Sequence, residues 1–291
     1  MRWIQNLQHA TEVLGDPDRL VHIGDRESDI YEFFCAANAV GSHFLVRTCV
    51  NRLAEDGAVT IQDVMAEVEV KGQHRIEVVD KQGNRSEAIL ELRYRRIRVL
   101  PPIGKQSHYP PLELSVLHAV ERGEPQGRER IEWKLLTDLP IQCRQQAVEC
   151  LRWYALRWRV ETFFKILKTG CRPEELRLRT AERLANAIAV HCILAWRIFW
   201  MTMTSREDPK APAEMAFTEI EQRILDRLVP GTAGTAGRAG IALYITKLAR
   251  LGGFLARSRD GQPGNTVVWR GLMRLTDIQL GFAIGAEDVG N

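Results

Sequence analysis

Hydrophobic residues change their spacing twice along this chain, near Val59 and near Pro140. Before Val59 the spacing predicts a helix, a short strand, a second helix and a second strand. From Val59 to Leu139, alternating polar and apolar residues predict a run of antiparallel strands, the longest being "SEAILELRYRRIRVL". After Pro140 the spacing becomes helical. The pattern therefore predicts an α/β fold with an antiparallel insert and a helical C-terminal part.

Composition excludes several classes of protein. A chain of 291 residues with 45% hydrophobic residues can bury a core, and a net charge of +3 is weak evidence for a polyanionic partner. The six cysteines form no C-x-x-C pair, so we expect them to be reduced. His191 and Arg197 interrupt the apolar run 187–204, which predicts a buried helix rather than a membrane span. We therefore expect a cytoplasmic protein with no membrane partner.

The stretch "WYALRWRVETFFKILKTG", residues 153–170, is typical of one amphipathic helix. At about 100° per residue, five polar side chains share an arc of about 80°. They are Tyr154, Arg157, Glu161, Lys165 and Lys168. The neighbouring arc predicts an apolar face that packs on a sheet, formed by Trp153, Leu156, Val160, Phe163, Phe164 and Leu167. Charges beside such a face would line a groove suited to a phosphate ester and a metal ion. Alternatively, they are ordinary ion pairs on a solvated face.

Asp25 is the second candidate, because it directly follows the predicted strand 20–24. Carboxylates at that edge of an α/β sheet face the region where ligands bind, so Asp25 is a candidate metal ligand. Alternatively, it caps the helix predicted to run to Val40. Asp29 and Glu32 are expected to be solvated or to pair locally with Arg26.

Four motifs together resemble the bacterial DDE transposases of the insertion-sequence-four group. The YREK signature of that family, Y-x2-R-x3-E-x6-K, is matched by Tyr154, Arg157, Glu161 and Lys168. "DRESDI" resembles the block around the second catalytic aspartate of the family, and "WKLLT" resembles its insertion strand. "LARLGGF" is similar to the start of its dimerisation region.

The resemblance implies an RNase H-like core interrupted by a β-insertion. Its expected division is 1–58 as the first part of the core, 59–140 as the insertion, 141–205 as the catalytic helix and remaining core helices, and 206–291 as a helical dimerisation-like region. The family activity is metal-dependent DNA cleavage and strand transfer at transposon ends. The implied partners are double-stranded DNA and a second subunit, in a homodimer or in a heterodimer with full-length transposase.

Residue roles follow from the same resemblance. Asp25 and Glu161 would be catalytic carboxylates that hold Mg²⁺ or Mn²⁺, with two ions in the intact family site. Tyr154, Arg157, Lys165 and Lys168 would contact DNA. Trp133 would stack on a flipped base, and Arg47 would add a further DNA contact. Trp133 could instead be a structural strand aromatic, and Arg47 a surface cation.

The chain departs from the family at its first catalytic aspartate. Asp16 and Asp18 lie in a predicted loop with Pro17 between them, and neither follows a strand. We expect an amino-terminally truncated transposase that does not cleave DNA alone. A non-catalytic protein that binds DNA or dimerises, and so inhibits the full-length protein, is the alternative; a fragment that folds poorly is a third. Arginines of the long predicted strand could add phosphate contacts, although most should lie on a solvated face: Arg93, Arg95, Arg96 and Arg98.

Overall fold

The computed structural model of the protein describes residues 2–79, 85–230, 240–257 and 259–288. The chain forms two compact units, residues 1–157 and 158–291. The boundary lies inside the segment 141–205 of the expected division, and the four-part division itself stays a prediction. The predicted "KQGN" turn at 81–84 and most of the predicted break "GTAGTAGRAG" lie outside the described residues.

The first unit is built on one sheet, which has eight strands within the described part of the chain. The strands are β1 (Val21–Gly24), β2 (His43–Arg47), β3 (Leu53–Ala54), β4 (Val59–Thr60), β5 (Gly72–Val79), β6 (Arg85–Val99), β7 (Leu112–Glu121) and β8 (Glu132–Thr137). Their order is β1-β2-β8-β7-β6-β3-β4, and β5 also pairs with β6. Only β1 and β2 are parallel among these pairs. The antiparallel strands thus continue the sheet that β1 and β2 begin.

Helices cover both faces of this sheet. Helices α1 (Arg2–Leu14), α2 (Tyr31–Val40) and α3 (Ile61–Ala66) contribute to the core on one face, whereas α4 (Arg144–Leu156) contributes to the core on the other. On β2, Phe44 packs in the first core and Leu45 in the second, because successive side chains of a strand point to opposite faces. The predicted α/β class is confirmed.

The first part of strand β6 is buried on one face of the sheet, and its last part is buried on the opposite face. Leu92 and Tyr94 are buried in the core under α4, while Ile97 and Val99 are buried in the opposite core. The four arginines of this strand therefore do not form one patch. By alternation, Arg93 and Arg95 share one face, and Arg96 and Arg98 share the other.

Helix α3 lies where the spacing predicts only strands. The hydroxyl of Thr60 accepts from the Asp63 amide, and the Asp63 carboxylate accepts from the Thr60 amide at 2.9 Å. This reciprocal capping box starts a single helical stretch whose Val64 and Met65 are buried. The strand expectation was wrong here because the local capping signal outweighs the surrounding alternation.

The second unit is helical. It contains α5 (Trp158–Ile166), α6 (Ala181–Glu207), α7 (Glu219–Leu228), α8 (Gly240–Leu251) and α9 (Asn265–Asp288). Buried residues of all five helices form its core, which includes Ile166, Ile198, Leu225, Leu248 and Leu272. The predicted interruption after α6 is present, since the chain leaves the helix at Glu207 and enters the next at Glu219.

The expectation of a buried helix at 187–204 was correct for only part of α6. Ile198 and Met201 are buried, whereas Ile193 and Trp196 are more than half exposed. Only the second half of the helix reaches the core of its unit. Within the described residues, α6 is the one helix with the length and apolar composition that a membrane span requires.

Candidate functional site

The predicted single helix from Trp153 to Gly170 is not continuous. Helix α4 ends at Leu156 and α5 begins at Trp158. The amide of Arg157 donates to the Tyr154 carbonyl three residues earlier, at 3.1 Å, which tightens the turn and interrupts the regular helical hydrogen bonds. No proline or glycine marks this point, so the spacing could not reveal it.

This interruption divides the predicted polar stripe between the two units. Tyr154 and Arg157 belong to the first unit, and Glu161, Lys165 and Lys168 belong to the second. The chain continues from α5 into a π-helical turn, Leu167–Cys171, which contains Lys168. The expectation of a single file along one helix was therefore wrong, and each half of the signature has its own surroundings.

Asp25 lies at the carboxyl end of β1, as the sequence predicts. Gly24 precedes it, and a Cβ added to Gly24 would lie 1.9 Å from Ser28 Oγ, so only glycine permits this turn. The Asp25 Oδ1 accepts from the Glu27 amide at 3.0 Å and caps the short 3₁₀ turn Arg26–Ser28. The capping alternative is thus partly correct, although the helix that runs to Val40 starts separately at Tyr31.

The other oxygen of Asp25 faces a residue of the YREK signature. Asp25 Oδ2 lies 3.8 Å from Arg157 Nη1. The Arg157 side chain is 20% exposed and that of Asp25 is 40% exposed, so solvent only partly screens this pair. Two blocks far apart in sequence therefore meet at the carboxyl edge of the sheet.

Tyr154 is buried beneath the same sheet. Its ring centroid lies 5.6 Å from that of Trp133 in an edge-to-face contact. Both rings join the core between α4 and the sheet, in which Tyr154 is 5% exposed and Trp133 is partly buried. This packing gives Trp133 the structural role that was one of its two alternatives, and its contact with a base stays a prediction.

Arg47 is the last residue of β2. Its Nη2 donates to the Glu132 carbonyl at 3.0 Å, and its Cα pairs in register with that of Leu135 on β8. Because Leu135 and Trp133 are two residues apart on one strand, Arg47 lies on the same face as Trp133. The structure therefore groups Arg47, Trp133 and Tyr154 on one side of the sheet.

In the second unit, the charged residues of the signature face solvent. Glu161, Lys165 and Lys168 are exposed, while Ile166 and Leu167 between them are buried in the helical core. The predicted apolar face is only partly buried. Val160 and Phe164 are about half exposed, at 48% and 47%, so these two residues are not part of a buried core.

Asp29, the second aspartate of "DRESDI", was expected to be solvated or to pair with Arg26, and both alternatives were wrong. Its carboxylate is fully buried. Oδ2 accepts from the Cys49 amide at 2.7 Å, the Val50 amide at 2.9 Å and the Thr48 hydroxyl at 2.8 Å. Oδ1 lies 2.6 Å from Arg52 Nη1, and the Asp29 carbonyl accepts from Arg52 Nη2 at 2.9 Å.

These bonds tie the Asp25 block to the loop that follows Arg47. Arg52 is itself buried, with its guanidinium 5.2 Å from the centre of the Phe34 ring. Asp29 thus holds together the two loops that carry Asp25 and Arg47. The sequence contained no local signal of this role, because every partner lies about twenty residues away.

Glu32 also differs from the expectation that it would pair with Arg26 or remain solvated. It forms an ion pair with Lys105, and the hydrogen bond from Lys105 holds the pKa of the Glu32 carboxyl below its usual value. The pair links α2 to the loop before β7.

Two family models match the chain. Residues 53–197 match the Transposase DDE domain, and residues 193–286 match the Transposase Tn5 dimerisation domain. The chain contains a transposase DDE domain and a Tn5 dimerisation domain. Together the two matches support a DDE transposase. The YREK signature lies inside the DDE match, while Asp25 and Arg47 precede its first residue.

A metal site of the kind that DDE transposases typically use is not assembled by the described side chains. Among them, no group of three or more His, Cys, Asp or Glu residues is placed to hold a metal ion. Asp16 and Asp18 lie at a 3₁₀ turn, Pro17–Arg19, rather than at the end of a strand. Of the catalytic carboxylates that the resemblance implies, Asp25 lies in the first unit and Glu161 in the second, and no described residue takes the place of the first aspartate.

Proposed function

We propose that the chain is a transposase polypeptide of the insertion-sequence-four group, and that it acts on double-stranded DNA at transposon ends. The observation that carries this proposal is the meeting of Asp25 with Arg157 at 3.8 Å. That contact joins the aspartate block to the YREK signature at the edge where α/β sheets bind ligands. Two matched transposase domains give it independent support.

In this proposal the cations of the signature contact the DNA backbone. Arg157, Lys165 and Lys168 would neutralise phosphates, with Arg47 as a further contact. Trp133 and Tyr154 form the aromatic pair beside Arg47, and opening of that pair would present an indole to an extruded base. Recognition would then combine salt-dependent phosphate binding with one aromatic contact.

For cleavage, Asp25 and Glu161 would be the carboxylates that the chain contributes to a Mg²⁺ or Mn²⁺ site. Mg²⁺ requires near-octahedral oxygen coordination, and two carboxylates supply only part of it. We therefore propose that this chain alone binds DNA without cutting it. The test incubates the purified chain with DNA carrying the matching transposon ends and Mg²⁺, beside the Glu161→Ala variant. Cleavage by the parent chain that disappears in the variant would contradict the proposed inactivity.

A second function is favoured by the dimerisation match at 193–286. Those residues span most of a helical unit that has its own core. We propose that the chain pairs with a second copy or with full-length transposase in the cytoplasm, without a membrane partner, and that the mixed dimer is unproductive. Co-expression with a differently tagged full-length transposase should give co-purification and reduced transposition. Failure of the two chains to associate would exclude this inhibitory role.

A further inference from the structure

Lys168 lies on an irregular piece of backbone. The segment Leu167–Cys171 is a π-helical turn, and such turns are rare and are frequent at functional sites. It ends at Arg172, whose φ of 44° is in the left-handed region that non-glycine residues seldom adopt. Strained backbone of this kind persists only where surrounding contacts enforce it. Some neighbour must therefore hold the turn that carries Lys168.

Trp269 on α9 is one such neighbour, and α6 also contacts this turn. A Cβ added to Gly170 would lie 2.6 Å from Trp269 Cδ2 and 2.8 Å from Cε3, so the indole rests directly on the Gly170 backbone. No residue larger than glycine fits at this position without displacing the ring. The contact lies two residues from Lys168, and buried Leu167 anchors the other side of the turn.

Helix α9 is itself rigidly placed. A Cβ on Gly271 would lie 1.9 Å from the Leu248 carbonyl oxygen, so the backbones of α8 and α9 are in close contact. Val268 and Leu272, on either side of Trp269, are buried in the same core. The indole is thus fixed to the helical core, whereas the Lys168 side chain extends into solvent.

We propose that Trp269 is a positioning residue for Lys168, and that it holds the π-helical turn in the conformation that aims the Lys168 ammonium at a DNA phosphate. This inference rests on the proposed DNA contact of Lys168. It assigns to the dimerisation region an indirect part in DNA binding, through Lys168, since Trp269 lies within the Tn5 dimerisation match. Disturbing the indole should weaken binding only through Lys168.

The test measures binding of a labelled duplex DNA of arbitrary sequence by the full chain at several salt concentrations. The variants are Lys168→Gln, Gly170→Ala, Trp269→Leu and the double variant Lys168→Gln/Gly170→Ala. Gly281→Ala is the matched control, because Gly281 is a helical glycine on α9 at which an added Cβ would meet nothing within 4 Å. Circular dichroism melting of each variant checks the fold.

When one phosphate contact is lost, the slope of log affinity against log salt concentration becomes shallower by about 0.9. The factor by which the affinity falls between about 50 and about 200 mM salt then becomes about threefold smaller. We expect this change in Lys168→Gln, Gly170→Ala and Trp269→Leu, and none in Gly281→Ala. The double variant should resemble Lys168→Gln alone, which a general loss of stability would not produce.

The outcomes separate the two proposals. If Lys168→Gln binds DNA with the parent slope, the proposed DNA contact fails and the positioning role fails with it. If Lys168→Gln lowers the slope while Trp269→Leu retains it, the contact stands and the positioning role is overturned. Trp269→Leu introduces no added atom at Gly170, so it remains decisive if Gly170→Ala does not fold.

Discussion

Removing the buried carboxylate of Asp29 should destabilise the first unit strongly. The Asp29→Ala change eliminates an ion pair with Arg52 and acceptors for the Cys49 and Val50 amides. Because the Arg52 side chain is only 6% exposed, its charge would be left without compensation. Breaking such a pair by deleting one partner costs about 3–5 kcal/mol, and a buried amide left without an acceptor adds about 1–3 kcal/mol unless the loop opens to water.

Two measurements test this reasoning. Urea unfolding of the full chain gives the free energy of unfolding, with the exposed Asp18→Ala variant as the matched control. Hydrogen exchange should show that the Cys49 and Val50 amides lose protection in Asp29→Ala. The Arg52→Ala/Asp29→Ala double variant should lose much less free energy of unfolding than the sum of the losses in the two single variants, because the two groups are directly coupled. A loss below about 1 kcal/mol in Asp29→Ala would refute the uncompensated-charge argument.

Further variants test the sheet. Two hydrogen bonds from Arg128, at 2.7 and 2.5 Å, hold the pKa of Glu121 below its ordinary value. The pair therefore contributes stability that is fully present above about pH 4.5 and is lost as pH falls through the lower pKa of the folded state. Glu121→Gln should flatten this acid dependence of the unfolding free energy, whereas Glu124→Gln, at an exposed position, should retain it. An equal dependence of the unfolding free energy on pH in the two variants would contradict the role given to the Glu121–Arg128 pair. Trp133→Ala should lower the free energy of unfolding by about 2 kcal/mol, because the ring is only partly buried and loses its contact with Tyr154. An unchanged urea midpoint for that variant would mean that the aromatic pair contributes nothing to folding.

Much of the fold and part of the candidate site could be predicted from local patterns. The strand that ends before Asp25, the helix that stops before Gly41 and the long strand β6 all follow from the spacing of apolar residues and from turn residues. The motif Y-x2-R-x3-E-x6-K is likewise a property of residue order. The prediction of one continuous helix from Trp153 to Gly170 was wrong. No helix-breaking residue marks the interruption at Arg157, since all residues from Trp153 to Ile166 are compatible with a helix.

Residue order by itself determined the α/β class, the positions of most helices and strands, and the candidate carboxylates Asp25 and Glu161. Only the tertiary structure decided that Asp25 meets Arg157, that the buried Asp29 carboxylate binds the loop after β2, and that Trp269 rests on Gly170. Local preferences act over a few neighbouring residues, and so they can be seen in a sequence. Contacts between distant residues depend on which surfaces packing brings together, and burial then turns an ordinary carboxylate or glycine into a structural requirement.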